Sequence, residues 1–381
     1  MHLVQQDKKG ISPYSHKQRG KLLLEPYRQL RGPSSRCKWT GHAGPALHAA
    51  GTSRTIFLTD ESGRAPIPSE TDLPMLHKRV MVTAPRQYAH KLAGKLLLAG
   101  ARPVWVPSVA INPVPQEKLA RLDAALRALI TDPLHHPYTH IAFTSKNGIY
   151  ATLQRAAELC EDLQQGHASG LDGSWLDVAV QAILKSGVKL CALGADGDVL
   201  LNARLPVHVS PTEASTQGLV RELKALDEAQ GAHILCPVPL VASPLVEPKV
   251  VPRFLAALSE AGAHAERVEA YETSAGCNSS ACALEMDALK AGHIDAIAFS
   301  STAEAQGLKG IYGEGLKDVL LRHNVILAAH GPYTRDGVQE VLDVPVSVVS
   351  HNFKTFEGLV LALEEAFRKQ QEYEGLGLKL G

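Results

Sequence analysis

The sequence has no apolar run approaching the ~18 residues that a membrane-spanning helix needs, so no span is expected. Neither sign of charge prevails, with 39 Lys or Arg against 39 Asp or Glu, which argues against a bulk binder of nucleic acid or of a membrane surface. Cysteine is scarce and scattered, at Cys37, Cys160, Cys191, Cys236, Cys277 and Cys282. The nearest pair, in "CNSSAC", has no second pair to complete a zinc site, so inert thiols in a reducing compartment are expected. No Gly-x-Gly-x-x-Gly motif follows a strand-like run, which leaves nicotinamide or flavin use without support. "GADGD" at Gly194–Asp198 lacks the lysine of a phosphate loop and the spacing of a calcium loop, so it reads as a turn. His135-His136 before Pro137 reads as a loop, and no Ser, His and Asp stand in a context that would make a triad. No cofactor and no metal are expected.

What is there in quantity is chain enough for two domains. Of 381 residues, 45% are hydrophobic and 20% charged, sufficient for two full cores. Charge is unevenly placed along it. Residues 1–59 carry ten Lys or Arg, but their only acids are Asp7 and Glu25. A basic, hydroxyl-bearing, acid-poor start has the composition of an organelle transit peptide; a plain disordered tail has it too. Residues 1–75 are therefore expected to be a disordered extension, with the folded chain beginning near Lys78.

From there strands and helices alternate. "RVMVT" at 79–83 is β-rich, and the helical run after it has Gly100 as a plausible C-cap. "RPVWVPSVAINPVP" reads as one extended connector broken by prolines, and "QEKLARLDAALRALI" as an amphipathic helix. "THIAFTSKNG" is a buried strand running into a helix near Asn147. After a Gly-rich insertion near 165–174 and a short helix, "VKLCALG" and "VHVSP" read as strands and "STQGLVRELKALDEA" as a helix; "AHILCPV", "HAERVEAYET", "IDAIAFSS", "VILAAHG" and "VSVVSH" continue the strands, each separated by a helix-length segment. Such alternation means parallel sheets covered on both faces.

The pattern also repeats in order. A strand ends in hydroxyls at Thr144-Ser145 and again at Ser300-Ser301, and one ends in glycine at Gly194 and again at Gly331. A helix begins "TQGLV" at Thr216 and "FEGLV" at Phe356. Two similar doubly wound domains explain this economically.

In order and spacing these motifs resemble the uroporphyrinogen-III synthase family, in its plant or algal type. The motifs are Val80-Met81-Val82-Thr83-Ala84-Pro85-Arg86, Phe143-Thr144-Ser145, Tyr271-Glu272-Thr273, Phe299-Ser300-Ser301, Ala329-His330-Gly331-Pro332-Tyr333-Thr334 and Glu357-Gly358-Leu359. The resemblance covers about 78–368. It departs at Gly197, where the family's strand-end motif has threonine, at Gln217, and in a long proline-rich stretch over 237–253.

The resemblance implies an α/β protein of two flavodoxin-like doubly wound domains joined by a two-strand connector. The first strand and helix would return to the C-terminal half, so one domain is 78–110 plus 272–368, the other 112–270, and 369–381 is a tail. It implies a cofactor-free lyase: hydroxymethylbilane loses water, inverts its last ring through a spiro intermediate and closes to uroporphyrinogen III. A monomer, a plastid location (otherwise mitochondrial or cytoplasmic) and hand-over from the preceding pathway enzyme would follow. A two-domain ligand-binding protein on the same fold, without catalysis, is the alternative.

A substrate with eight carboxylates needs a large cleft and anion-binding amides, which helix N-termini at strand carboxyl ends supply. The expected binding residues are Thr83 and Arg86 after the first strand, Thr144, Ser145, Ser215, Thr216, Ser300, Ser301, Thr302, Gly331 and Thr334. Each hydroxyl before a helix can equally be a plain N-cap, and Arg86 a surface ion pair. Tyr271 is the candidate acid, since a phenol is protonated at pH 7; a packing tyrosine is the alternative. The C-terminal copy, which keeps Gly331 and Thr334, is expected to carry more of the binding.

Overall fold

The computed structural model describes residues 73–164, 174–352 and 355–376. The transit-like segment, nearly all of the Gly-rich insertion and the last five residues lie outside the described residues. The chain opens on β1 (Arg79–Val82), α1 (Arg86–Leu98), β2 (Arg102–Trp105) and β3 (Val109–Asn112). It continues through α2 (Ala120–Thr131), β4 (His140–Phe143), α3 (Lys146–Gln164), α4 (Trp175–Ser186), β5 (Lys189–Ala192) and α5 (Gly197–Asn202). Then come α6 (Thr216–Ala225), β6 (His233–Val241), α7 (Val250–Glu260), β7 (His264–Ala275), α8 (Ala283–Lys290), β8 (Ala296–Phe299) and α9 (Thr302–Tyr312). The described chain finishes with α10 (Leu316–Arg322), β9 (Ile326–Ala329), α11 (Pro332–Leu342), β10 (Val348–Val349) and α12 (Glu357–Gly375).

The strands make two five-stranded sheets, ordered β10-β9-β8-β1-β2 and β3-β7-β6-β4-β5. The first is parallel throughout; in the second only β3 runs antiparallel, against β7. Counted from each domain's own first strand, both follow the flavodoxin-like order 2-1-3-4-5, with β3 in the fifth place of the second sheet. β1 pairs in parallel with β8, Met81 opposite Ile297, so the first strand does sit in the C-terminal sheet. Side chains alternate across each sheet as a pleat requires. Met81, Ile297, Phe299 and Leu327 enter one core, while Val80, Val82, Ala296 and Ala328 enter another on the opposite face. Ile141, Phe143 and Leu235 likewise separate from Ala142, Ile234 and Cys236. Both faces are buried, which is why these strands are apolar along their whole length.

Several expectations are corrected. The single connector at 102–115 is two strands in different sheets, turning at Val106–Ser108, where Ser108 donates to the Thr83 carbonyl (3.0 Å). "VHVSP" forms only one bridge, Val209 to Cys191. Met75 is fully buried, so the folded body begins before residue 75, and α12 runs past the boundary expected at 368. Pro237 and Pro239 do lie in β6, but β4 pairs β6 only as far as Leu235. Beyond that point one side of β6 needs no donor, which is where a strand tolerates proline. The turn after β7, in which Ala281 N–H donates to Asn278 Oδ1 (2.9 Å), brings Cys277 and Cys282 together as a disulfide. The inert-thiol expectation therefore fails for that pair, while Cys160, Cys191 and Cys236 are free and buried.

Candidate active site

In such sheets ligands bind beyond the carboxyl ends of the strands, where the strand order reverses. Here there are two such points, β1/β8 and β4/β6, and segments following these strands line one cleft of about 710 Å³. On the β4/β6 side it is lined by Thr144–Asn147, Asp196, Ser215, Thr216 and, from β7, Tyr271. On the β1/β8 side it is lined by Tyr88, Lys91, Lys95, Ser300–Glu304 and His330–Thr334.

Each hydroxyl is placed by the turn it makes. Ser145 precedes α3 and its Oγ accepts from Gly148 N–H (3.2 Å). The same Oγ lies 2.9 Å from the Tyr271 hydroxyl, so cap and site function share one atom. Tyr271 is 7% exposed, and burial pushes its phenol up to about 12, with the Asp196 charge adding to the effect and the Ser145 hydrogen bond opposing it. It stays protonated at ordinary pH. Tyr88, from α1, donates to Asn147 Oδ1 (3.1 Å) beside Gln87 (2.7 Å), which ties the two sides of the cleft together. Burial and the Asp196 charge raise the Tyr88 phenol as well.

The acids in the cleft are mostly engaged. Glu247 pairs with Arg267 (2.7 Å), and Glu213 with Arg221 and the Ser215 hydroxyl. Glu304, 1% exposed, accepts from Ser300 N–H (2.9 Å), Ser301 Oγ (3.2 Å), the Ser300 hydroxyl and Thr83 Oγ1 (2.8 Å). Burial raises its carboxyl above the usual glutamate range, opposed by these hydrogen bonds. Asp196 faces Lys146, Nζ to Oδ1 3.8 Å. Burial pushes it up to about 6 against that lysine, with Asp198 adding to the rise.

Of the residues picked from sequence, Thr144, Ser145, Ser215, Thr216, Ser300, Ser301, Thr302, Gly331, Thr334 and Tyr271 all line the cleft. Thr83 does not: it is 0% exposed and its hydroxyl, 3.0 Å from the Ala298 carbonyl, serves the interior. Arg86 opens α1 with its side chain in solvent, outside the lining. Ser215 caps α6, accepting from Gly218 N–H (2.9 Å). Thr334 sits within α11, its hydroxyl 3.4 Å from the Ser300 carbonyl.

On the C-terminal side Gly331 and Thr334 line the cleft, and Glu304 engages the Ser300 and Ser301 hydroxyls. Gly148 holds the matching place after Ser145, so the first turn of α3 carries no acid and its cap is the Ser145 hydroxyl. Gly197, where the family threonine is missing, is helical (φ −58°), and a Cβ there would meet Val207 Cγ2 at 3.1 Å. Asp196, Lys146, Asn147, Tyr88 and Glu304 were missed. The repeat held a signal for Glu304, since aligning Ser145 with Ser301 sets a buried acid opposite Gly148.

The profile of the family described as uroporphyrinogen-III synthase HemD matches residues 90–360, well over half of the chain. No curated protein matches the chain at a significant level. Among solved structures, a mutant uroporphyrinogen III synthase of the extremely thermophilic bacterium Thermus thermophilus is similar, at 21% identity and a TM-score of 0.47, over 77% of this chain and 99% of that one. The uroporphyrinogen-III synthetase of Helicobacter pylori is similar at 15% identity and a TM-score of 0.41, over 77% and 100%.

Proposed function

The chain belongs to the uroporphyrinogen-III synthase family, and we propose that it closes hydroxymethylbilane to uroporphyrinogen III with inversion of the last ring. One observation supports this most directly: the cleft of about 710 Å³ between the two strand-order reversals. A cavity of that size suits a large ligand, and both sides present hydroxyls and helix starts to it. The start of α3, whose first turn holds no acid, and the ammonium groups of Lys91, Lys95 and Lys146 suit substrate carboxylates. The Tyr271–Ser145 hydroxyl pair is suited to hold the departing hydroxyl, since a protonated phenol donates without first giving up its proton.

Because water leaves, the reaction class is that of a lyase. One chain contributes both sides of the cleft, which supports a monomer, and an open cleft suits hand-over from the enzyme that makes the linear substrate. A plastid destination rests on the basic composition of residues 1–59.

The test is to supply the full chain with hydroxymethylbilane and separate the ring-closed isomers. Spontaneous closure gives isomer I, so enrichment of isomer III is the expected result. Isomer I alone, at the uncatalysed rate, would instead favour a binding protein.

A further inference from the structure

We propose that Asp196 is a catalytic residue of this cleft, the group that delivers a proton to the leaving hydroxyl and recovers one at ring closure. The inference rests on the synthase reading above. Asp196 ends a 3-10 turn (Gly194–Asp196) that runs directly into α5, so its backbone is already helical and its side chain caps no backbone N–H. Its carboxyl lines the cleft instead, 26% exposed. Its ion-pair partner among the described residues is Lys146, at 3.8 Å, too long for a hydrogen bond. Among the described residues no hydrogen bond engages either carboxyl oxygen, and the group borders the cleft.

The groups around it are Lys146 from α3, Asp198 from α5, Tyr88 from α1 and Tyr271 from β7. The two phenols stay protonated, so they can donate hydrogen bonds but are poor sources of a transferred proton. An acid works best when its pKa lies near the working pH. Burial brings Asp196 to about 6, while it pushes Tyr271 to about 12. Lys146 and Asp198 act on Asp196 in opposite directions.

The step balances without an oxidant or reductant. The carboxyl proton moves to the hydroxyl oxygen of the hydroxymethyl group, the C–O bond breaks, and water leaves with that bond's electron pair. The pyrrole nitrogen supplies the pair that stabilises the electron-poor carbon left behind. That carbon bonds to the carbon of the last ring that already carries the bridge, giving the spiro intermediate. The older bridge bond then breaks, leaving the bridge carbon electron-poor in turn, and the ring's free carbon bonds to it and loses its hydrogen as a proton, which the Asp196 carboxylate accepts. One proton is given and one returned, and one water is formed.

The test is the pH dependence of kcat/KM for isomer III, measured with the full chain between about pH 5 and pH 9. The protonated carboxyl is the active form, so the wild-type value should fall as pH rises through about 6. Asp196→Asn should lose about 100-fold and this pH dependence, in line with general acids, and Asp196→Glu should recover part of both. Lys146→Met removes the cation that favours the ionised carboxylate, so the fall should move to higher pH. That shift is readable even if Asp196→Asn does not fold. The proposal is overturned if Asp196→Asn stays within about threefold of wild type with an unchanged profile, or if Lys146→Met leaves the fall in place. A wild type that makes no isomer III would count against the synthase reading itself.

Discussion

At the scale of residues, the cleft divides its labour between a buried phenol and a less buried carboxyl. The Tyr271 hydroxyl is 2.9 Å from Ser145 Oγ, and its ring is packed into the core of the second sheet. Tyr271→Phe therefore removes one neutral hydrogen bond and keeps the packing. A net worth of about 0.5–1.5 kcal/mol for such a bond corresponds to a loss of roughly two- to tenfold in the rate of isomer III formation, with the pH profile retained and little change in melting temperature. A loss of about 100-fold, together with the fall near pH 6, would move the proton-donor role to the phenol. Ser145 and Tyr271 were legible because a strand that ends in hydroxyls before a helix places them at the carboxyl end of a sheet. Thr83 ends a strand in the same way, but it is enclosed between β8 and Glu304. Asp196 reads from sequence only as part of its turn, because sequence gives the residue type and not the direction of its side chain.

At the scale of elements, the repeated motifs prove to be partly about close approach. A Cβ on Gly218 would lie 2.1 Å from the Glu213 carbonyl, and one on Gly358 would lie 2.7 Å from the Asn352 carbonyl. Both helices start against backbone that leaves no room for a side chain, so the shared glycine needs no ligand to explain it. The start of α9 differs from that of α3 through Glu304. Its folded carboxyl is raised above the unfolded value by burial, so the folded state binds more protons in that window. Glu304's contribution to stability is then fully present below the unfolded value of about 4.3 and is lost as pH rises through the folded value. Glu304→Gln keeps the shape, accepts with its oxygen and donates to the serine hydroxyls with its nitrogen. In thermal unfolding at a series of pH values, this variant should lack the decline and match or exceed the parent near neutrality. A variant equal to the parent near about pH 4 but weaker at neutrality would mean that the hydrogen bonds hold the carboxylate ionised. The alternation of strands and helices was legible from apolar runs and breaks. The split of 102–115 between two sheets was not, since extended backbone reads the same whichever sheet it joins.

At the scale of the whole molecule, the two sheets are one covalent circuit. The chain leaves the first sheet after β2, completes the second and returns through β7. Between the two halves Val109, Leu245 and Ala303 form a small buried cluster and Tyr88 is half-buried against Asn147, while Gln87 with Asn147, Val246 N–H with Gln306 Oε1 (2.9 Å) and Lys249 with Glu340 (2.6 Å) are exposed. Exposed pairs of this kind contribute about 0–1 kcal/mol, so stability must come from the cores. The core beside β1 shows how far the folded body extends. Met75 is 0% exposed within it, among Val80, Leu92, Leu96 and Phe367, and Pro74 accepts from Gln371 Nε2 (3.2 Å) on α12. The turn before β1 thus closes the face that α1 and α12 share, although composition alone assigned it to the extension. A single methionine after a polar stretch carries no periodicity, and its burial is decided by α12, at the far end of the chain. Met75→Ala in the full chain should cost about 2–5 kcal/mol, the range for truncating a buried methionine. In a body of this size that lowers the melting temperature by roughly 2–4 °C per kcal/mol. An unchanged melting temperature would place the true start of the folded body after residue 75 and return the turn to the extension.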